Sequence, residues 1–223
     1  MLPLFPLQTV LLPGALLPLH IFEPRYRQLT VDLVQETVPD RCFGVVAIRD
    51  TWAQEIEAPD QLHEIGCSTL LREAKQLPDG RFDIVTTGQR RFRILDIDTD
   101  AAPYLMAEVD WIPDEALPEG SEEAAVRLAE ATRATHRRYC QAAWERKDWN
   151  EPDADTDVAS LAYLLAADCL LAMPDRQRLL EETQPLRRLR MVCRILAMEA
   201  GFLNALRAVP THTSELSSSM SLN

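Results

Sequence analysis

PLFPLQTVLLPGALLPLHIFEPRYRQL, residues Pro3–Leu29, is the stretch on which the reading of the fold turns. No Asp or Glu precedes Glu23 and no Lys or Arg precedes Arg25, so at first sight the segment resembles an export signal or a membrane span. A signal peptide needs a positive start, which is missing. A spanning helix would be broken by Pro3, Pro6, Pro13 and Pro18. Pro13-Gly14 is turn chemistry, with proline presetting φ and glycine accepting a positive one. The segment is therefore expected to form two short buried strands, Leu4–Leu12 and Ala15–Ile21, joined by a tight turn. Glu23-Pro24 then opens a helix, because proline fits a first-turn position that needs no N–H. Tyr26, Leu29, Leu33 and Val34 give that helix its buried stripe.

Working outward, Phe43–Ile48 reads as a buried strand and Arg49–Glu64 as a charged loop from which Trp52 and Ile56 fold back. From His63 to Trp111 the pattern is β. Ile65–Gln76 and Arg81–Thr87 flank Pro78-Asp79-Gly80, a hairpin signal. Phe92 and Ile94, then Leu95 and Ile97, change face midway, as at a bulge. Residues Leu105 to Trp111 alternate as a last half-buried strand. Strands this short and numerous suggest a strongly bent sheet or a partly closed barrel.

Ile112–Gly120 is rich in proline and acid and marks a change of regime. Beyond it Ser121 stands as an N-cap before a helix running to about Trp144, with Glu122 and Glu123 in its first turn. A polar loop, Lys147–Asp155, precedes helices at Val158–Met173, Pro174–Glu182 and from Pro185 onward. In the last, Leu186, Leu189, Cys193, Leu196, Ala200 and Leu203 recur every three or four residues, a core seam reinforced by Val192, Ile195 and Phe202. Arg187, Arg188, Arg190 and Arg194 are expected on a solvated face paired with Glu181, Glu182 and Glu199. Trp149 is expected at the edge of the core. The expected class is α+β: a curved β-sheet or pseudo-barrel domain with one helix over residues 1–112, a linker at 113–120, an α-helical bundle over 121–208, and a disordered tail at 209–223.

Composition excludes several functions. The chain has 223 residues and a formal net charge of -12, which argues against a general nucleic-acid binder. Its seven glycines form neither a dinucleotide fingerprint nor a phosphate loop, and no Gly-x-Ser-x-Gly elbow occurs. Five cysteines and four histidines are scattered without metal-ligand or redox spacing, so no metal and no cofactor is expected, and the thiols fit a reducing cytoplasm. No stretch is apolar and long enough for a membrane helix. Cys67 lies four residues from His63, roughly 13 Å along a strand, too far for direct activation.

Three segments resemble the Lon N-terminal domain family: Pro3–Leu29 as quoted, Leu77–Ile94 (LPDGRFDIVTTGQRRFRI, a hairpin followed by a Gly-x-x-Arg-Phe strand), and Asp175–Leu196, with Arg176-Gln177 and Arg188-Leu189-Arg190. Their order and spacing extend the resemblance over residues 1–208. It implies a curved β domain joined to a small helical bundle. In full Lon proteases this region helps recognise protein substrates and assemble the enzyme, and an ATPase and a Ser-Lys peptidase follow it. Neither motif is found here, and Lys75 and Lys147 are the only lysines. The expectation is a stand-alone, cytoplasmic, non-catalytic module that binds unfolded or extended protein segments, acting with a protease or chaperone in trans, as a monomer or weak dimer. His20, Glu23, Arg25 and Tyr26, with Arg91 and Trp111, are the candidate lining of a peptide groove where sheet meets bundle. A structural alternative has Glu23 capping the helix, Arg25 pairing with an acid, Tyr26 packing, and Arg91 reaching back to Glu23. Two further functions remain open: a small hydrolase built around His20 or His63, and a self-associating scaffold.

Overall fold

The computed structural model describes residues 1–49, 59–144 and 149–207. Six strands come first: β1 (Leu2–Leu7), β2 (Leu16–Ile21), β3 (Cys42–Ala47), β4 (Ile65–Gln76), β5 (Phe82–Asp98) and β6 (Met106–Trp111). Among the described residues one α-helix, α1 (Pro24–Val34), and two short 3-10 turns, Pro39–Arg41 and Pro59–Gln61, interrupt them. Four helices follow: α2 (Glu122–Ala143), α3 (Val158–Ala167), α4 (Met173–Glu181) and α5 (Pro185–Arg207). The class is α+β, as expected.

The strands lie in the order β2-β5-β4-β3-β1-β6, and β6 also pairs with β5. The second half of β5 thus closes a ring with β4, β3, β1 and β6, while β2 continues from the first half of β5. Among the described strands only the β1–β3 pair runs parallel. The result is a mixed, curved sheet short of a regular barrel. Bends come where register shifts occur: in β4 between Cys67 and Thr69 and between Leu71 and Glu73, and in β5 between Ile94 and Asp96. The last is where the apolar pattern changes face. An extra residue there re-aims the strand.

Alternation along the strands sorts side chains into two cores. Leu2, Leu4, Val46, Leu62, Phe92 and Ala107 make a small cluster. Phe92 fills it because Gly44 and Gly66 leave room: a Cβ on either would come 2.7 or 2.5 Å from the end of the Phe92 ring. Facing the other way, Phe5, Phe43, Val45, Cys67 and Leu71 join one large cluster with Tyr26, Leu29 and Leu33 of α1 and with Leu161, Leu189, Val192 and Leu196 of the helical part. Each such fully buried side chain contributes roughly 1.5–3 kcal/mol.

Several expectations are corrected. β1 ends at Leu7, and Val10, Leu11 and Leu12 are buried outside any strand. β1 and β2 do not pair with each other, so the apolar start is a crossover rather than a hairpin. Gly14 does adopt a positive φ of 79°. Val34 and Phe202, placed in core stripes, are 49% and 61% exposed. The helix from Val158 stops at Ala167 instead of Met173. Neither Glu23 nor Ser121 accepts a capping hydrogen bond; the Ser121 hydroxyl donates to Pro118 O at 2.6 Å. Asp157 is the N-cap that works, accepting from the N–H groups of Ala159 and Ser160. Trp52, Ile56 and the tail at 209–223 lie outside the described residues. Trp149 packs against the large core, edge-on to His136 at 5.9 Å. Among the described residues, no helix is long and apolar enough to cross a membrane.

Candidate functional site

The seam between sheet and helices is riveted by the residues that carried the family resemblance. In the Gly88-x-x-Arg91-Phe92 run each named residue has a separate task. Gly88 lies so close to the chain at Leu12 that a Cβ would sit 2.3 Å from Leu12 O. Phe92 fills the small core, and Arg91, one residue back, points the opposite way into the seam. Its guanidinium donates to Glu182 O at 2.8 Å and Leu180 O at 3.3 Å, at the end of α4, and to Asp114 Oδ1 at 2.5 Å. Arg188 reaches the same carboxylate from α5, with bonds of 2.8 and 2.7 Å to its two oxygens, and adds Glu182 O and Ala159 O. Arg176 gathers the carbonyls left open at the end of α3, Ala167 O at 2.7 Å and Cys169 O at 3.1 Å. Gln177 donates to Ile65 O of β4 at 3.1 Å.

Arg188 was expected on a solvated face, yet it is fully buried. Arg91 was expected to reach Glu23, but Glu23 instead accepts from Arg25 at 2.7 Å. The reason is geometric in both cases. An Asp114 carboxylate held by the chain at 112–115 lies between the two guanidiniums, and paired, hydrogen-bonded charges can be buried where lone ones cannot.

Beside this knot opens a cleft of about 530 Å3, walled by Gln89, Arg90, Arg91 and Trp111 of the sheet, by Ile112, Pro113 and Asp114, and by Ala159, Ser160 and Tyr163 of α3. Trp111, 41% exposed, stands at its rim. Arg90 Cζ lies 3.9 Å above the indole, and Phe92 meets it edge-on at 6.4 Å. Gln89, Arg90 and Trp111 also border a second hollow of about 420 Å3 that extends to Met1, Pro3 and Val38. The Arg90–Trp111 stack is therefore a shared wall between two hollows. In the first, the Tyr163 side chain is almost wholly buried under Arg188, whose Cζ is 4.0 Å above the ring. Its hydroxyl has no hydrogen-bond partner among the described residues, and burial pushes the phenol up to about 12. It is a neutral hydroxyl enclosed in the wall of the cleft.

Of the residues expected in one groove, only Arg91 and Trp111 line the cleft. Glu23, Arg25 and Tyr26 sit at the start of α1. Tyr26 stacks on Phe5 at 4.0 Å, with burial pushing its phenol up to about 12, and Arg25 lies 4.9 Å from the Tyr26 ring. His20 is on β2, its Nδ1 2.7 Å from Asp83 and its Nε2 3.1 Å from Arg81 Nη1. Arginine can only donate, so Nε2 accepts and Nδ1 carries the proton. Arg90, Ser160 and Tyr163 were missed. The available signal was Ser160 and Tyr163 three apart in an otherwise apolar helix, which places both on one side.

The arrangements a hydrolase would need are weak. His20 has no thiol or hydroxyl beside it among the hydrogen bonds of the described residues. His63 lines a hollow of about 320 Å3 with Glu64 and Asp96, but bonds to neither. His136 does touch Cys140, at 3.4 Å, with both residues 2% exposed. Burial pushes that thiol up to about 11 and lowers the histidine, so the pair rests as thiol and neutral imidazole. Burial likewise pushes Cys67 up to about 12. No group of three or more metal-ligating side chains occurs among the described residues.

Residues 1–198 match the family model of the ATP-dependent protease La (LON) substrate-binding domain. Lon protease 2 of Myxococcus xanthus is 28% identical over 202 residues, covering 87% of this chain and 23% of that protein. Lon protease 2 of Herpetosiphon aurantiacus is 30% identical over 215 residues, covering 91% and 24%. The chain thus spans about a quarter of the length of the curated relatives it matches. Among solved structures, the Lon N-terminal domain protein from Xanthomonas campestris matches with a TM-score of 0.59 and 27% identity, over 86% of this chain and 95% of that one. The N-terminal domain of Mycobacterium avium complex Lon protease shares the fold, with a TM-score of 0.64 at 19% identity, over 88% and 97%. With its sheet, its helices and the residues that join them accounted for, the chain belongs to the Lon substrate-binding domain family.

Proposed function

We propose that the chain is a non-catalytic recognition module that takes extended segments of unfolded proteins across the Arg90–Trp111 wall. The observation that carries this reading is the half-exposed indole of Trp111, held between Arg90 and Phe92 with a hollow on either side. An extended segment draped over it would place side chains in both hollows and apolar surface on the indole. The exposed Ser160 and the Gln89 amide offer hydrogen bonds to a peptide backbone, and such a few polar groups in a mainly apolar cleft are what orient a ligand. In this reading residues 1–112 supply the wall, the helical part from residue 121 supplies the floor, and the chain acts in the cytoplasm, as a monomer or weak dimer, presenting bound segments to a protease or chaperone in trans.

The test is fluorescence anisotropy with labelled casein peptides on the intact chain. Trp111→Ala is expected to weaken binding about tenfold or more, the loss typical of a buried aromatic anchor, with the melting temperature little changed. Unaltered binding by Trp111→Ala and by Ser160→Ala would remove the cleft from the reading. Casein hydrolysis abolished by one substitution would overturn the non-catalytic assignment.

A further inference from the structure

α4 and α5 enclose a groove of about 410 Å3 away from the cleft, and its chemistry runs against that of the chain. Arg178, Arg187, Arg190 and Arg194 surround it with only Asp175 as a carboxylate. Arg178 meets Asp175 at 3.3 Å; the other three arginines are exposed and make no ion pair among the described residues. The expected pairing with Glu181, Glu182 and Glu199 does not form. Glu181 accepts instead from Gln177, and Glu182 from the Gln184 N–H. Beneath the guanidiniums the floor is Met191, Ile195 and Met198, and from Met198, 71% exposed, an apolar stripe continues along α5 through Phe202 and Leu206, 61% and 52% exposed. These residues fall three or four apart, on one face of one helix.

We infer that this face of α5 docks an amphipathic, acidic segment of a partner protein, with carboxylates over Arg187, Arg190 and Arg194 and apolar side chains along Met198, Phe202 and Leu206. Charge complementarity selects the occupant. In a chain of net charge -12, three neighbouring unpaired guanidiniums are a local reversal of sign, and such a patch attracts carboxylates and repels basic segments. The apolar half selects protein over polyanion. A nucleic-acid strand would need aromatic platforms among the cations, and the groove itself has none. Guanidiniums flanking a methionine-rich strip instead match a helix laid in a groove by its apolar face, with its acids at the rim. This surface is separate from the Trp111 cleft and does not depend on it.

The experiment titrates the intact chain into a labelled helical peptide with leucines on one face and glutamates at the rim, and into the same peptide with lysines for glutamates. The glutamate peptide is expected to bind roughly tenfold more tightly or better, a margin that shrinks as salt shortens the reach of exposed charges. The R187E/R190E/R194E variant is expected to reverse the preference, binding the lysine peptide instead, with an unchanged circular dichroism spectrum. Such a reversal cannot arise from misfolding. Met198→Ser with Phe202→Ser is expected to weaken both peptides. Equal binding of the two peptides by the unaltered chain would overturn the inference. So would absence of saturable binding up to about 1 mM, or tighter binding of a labelled oligothymidylate. Trp111→Ala serves as the internal control and is expected to leave this binding intact.

Discussion

The arginines in the first three turns of α5 leave it on opposite sides. Inward, Arg188 meets Arg91 of β5 around Asp114, with side-chain exposures of 0% and 3%; the Nη atoms of both groups meet carboxylate or carbonyl oxygens, while Arg188 Nε is buried without a partner among the described residues. Outward, Arg187, Arg190 and Arg194 stand in water over an apolar floor without a partner among the described residues. Arg187 and Arg188 are adjacent in sequence, and rotation of about 100° per residue in a helix is enough to send them to different environments. The inner set shows guanidiniums buried where acceptors from several segments converge on them. The outer set has apolar surface and charge that nothing in the described chain complements, so its energy is available for binding.

The comparison is broken most directly at Asp114. Asp114→Ala leaves two buried guanidiniums with backbone carbonyls alone, and a loss of about 3–5 kcal/mol in urea denaturation is expected. A loss below about 1 kcal/mol would mean that the carbonyls suffice and the knot is not electrostatic. Next comes Arg188→Lys. It keeps the charge but loses the planar fork that spans both Asp114 oxygens, at an expected cost of about 1–3 kcal/mol. Arg187→Lys, one residue away, is expected to change stability by less than about 0.5 kcal/mol.

A third test asks what happens to a buried basic group without such acceptors. His136 is 2% exposed, and burial lowers its pKa. With the folded value below the unfolded one, the unfolded chain binds the proton first as pH falls. Stability is therefore full above about pH 6.5 and drains as pH drops toward the folded-state value, by up to about 1.4 kcal/mol per pH unit. Thermal unfolding between pH 7 and 5 measures it, and His136→Phe should flatten the profile; an unchanged slope in that variant would assign the effect elsewhere. The smallest expected change is in R187E/R190E/R194E, within about 0.5 kcal/mol of the parent chain despite three reversed charges.

The order of elements was legible because each announces itself locally. Pro78-Asp79-Gly80 marked a hairpin that β4 and β5 form, Glu23-Pro24 a helix start, and the break in alternation at Ile94 a bulge that is present. The misreadings share a cause. Leu4–Leu12 looked like one buried strand because an apolar run carries no record of whether its backbone is paired to a strand or merely covered by helices. Val34 and Phe202 continue their stripes in periodicity but overrun the surface their neighbours cover. Of the groove residues read from the first segment, His20 meets Asp83 on β5, while Glu23, Arg25 and Tyr26 stay together at the start of α1, and none of the four lines the cleft.

By itself, then, the amino-acid sequence determined the class, the strand-then-helix order, the exclusion of familiar nucleotide loops and the segments shared with the Lon substrate-binding family. These depend on local geometry: periodicity, turn chemistry, spacing. Which arginine is a rivet and which a docking group was decided only by the tertiary structure. An arginine's role depends on whether acceptors from distant segments, here residue 114 of the connection and the end of α4, converge on it. That convergence is a property of packing, and no window of sequence around Arg188 contains it.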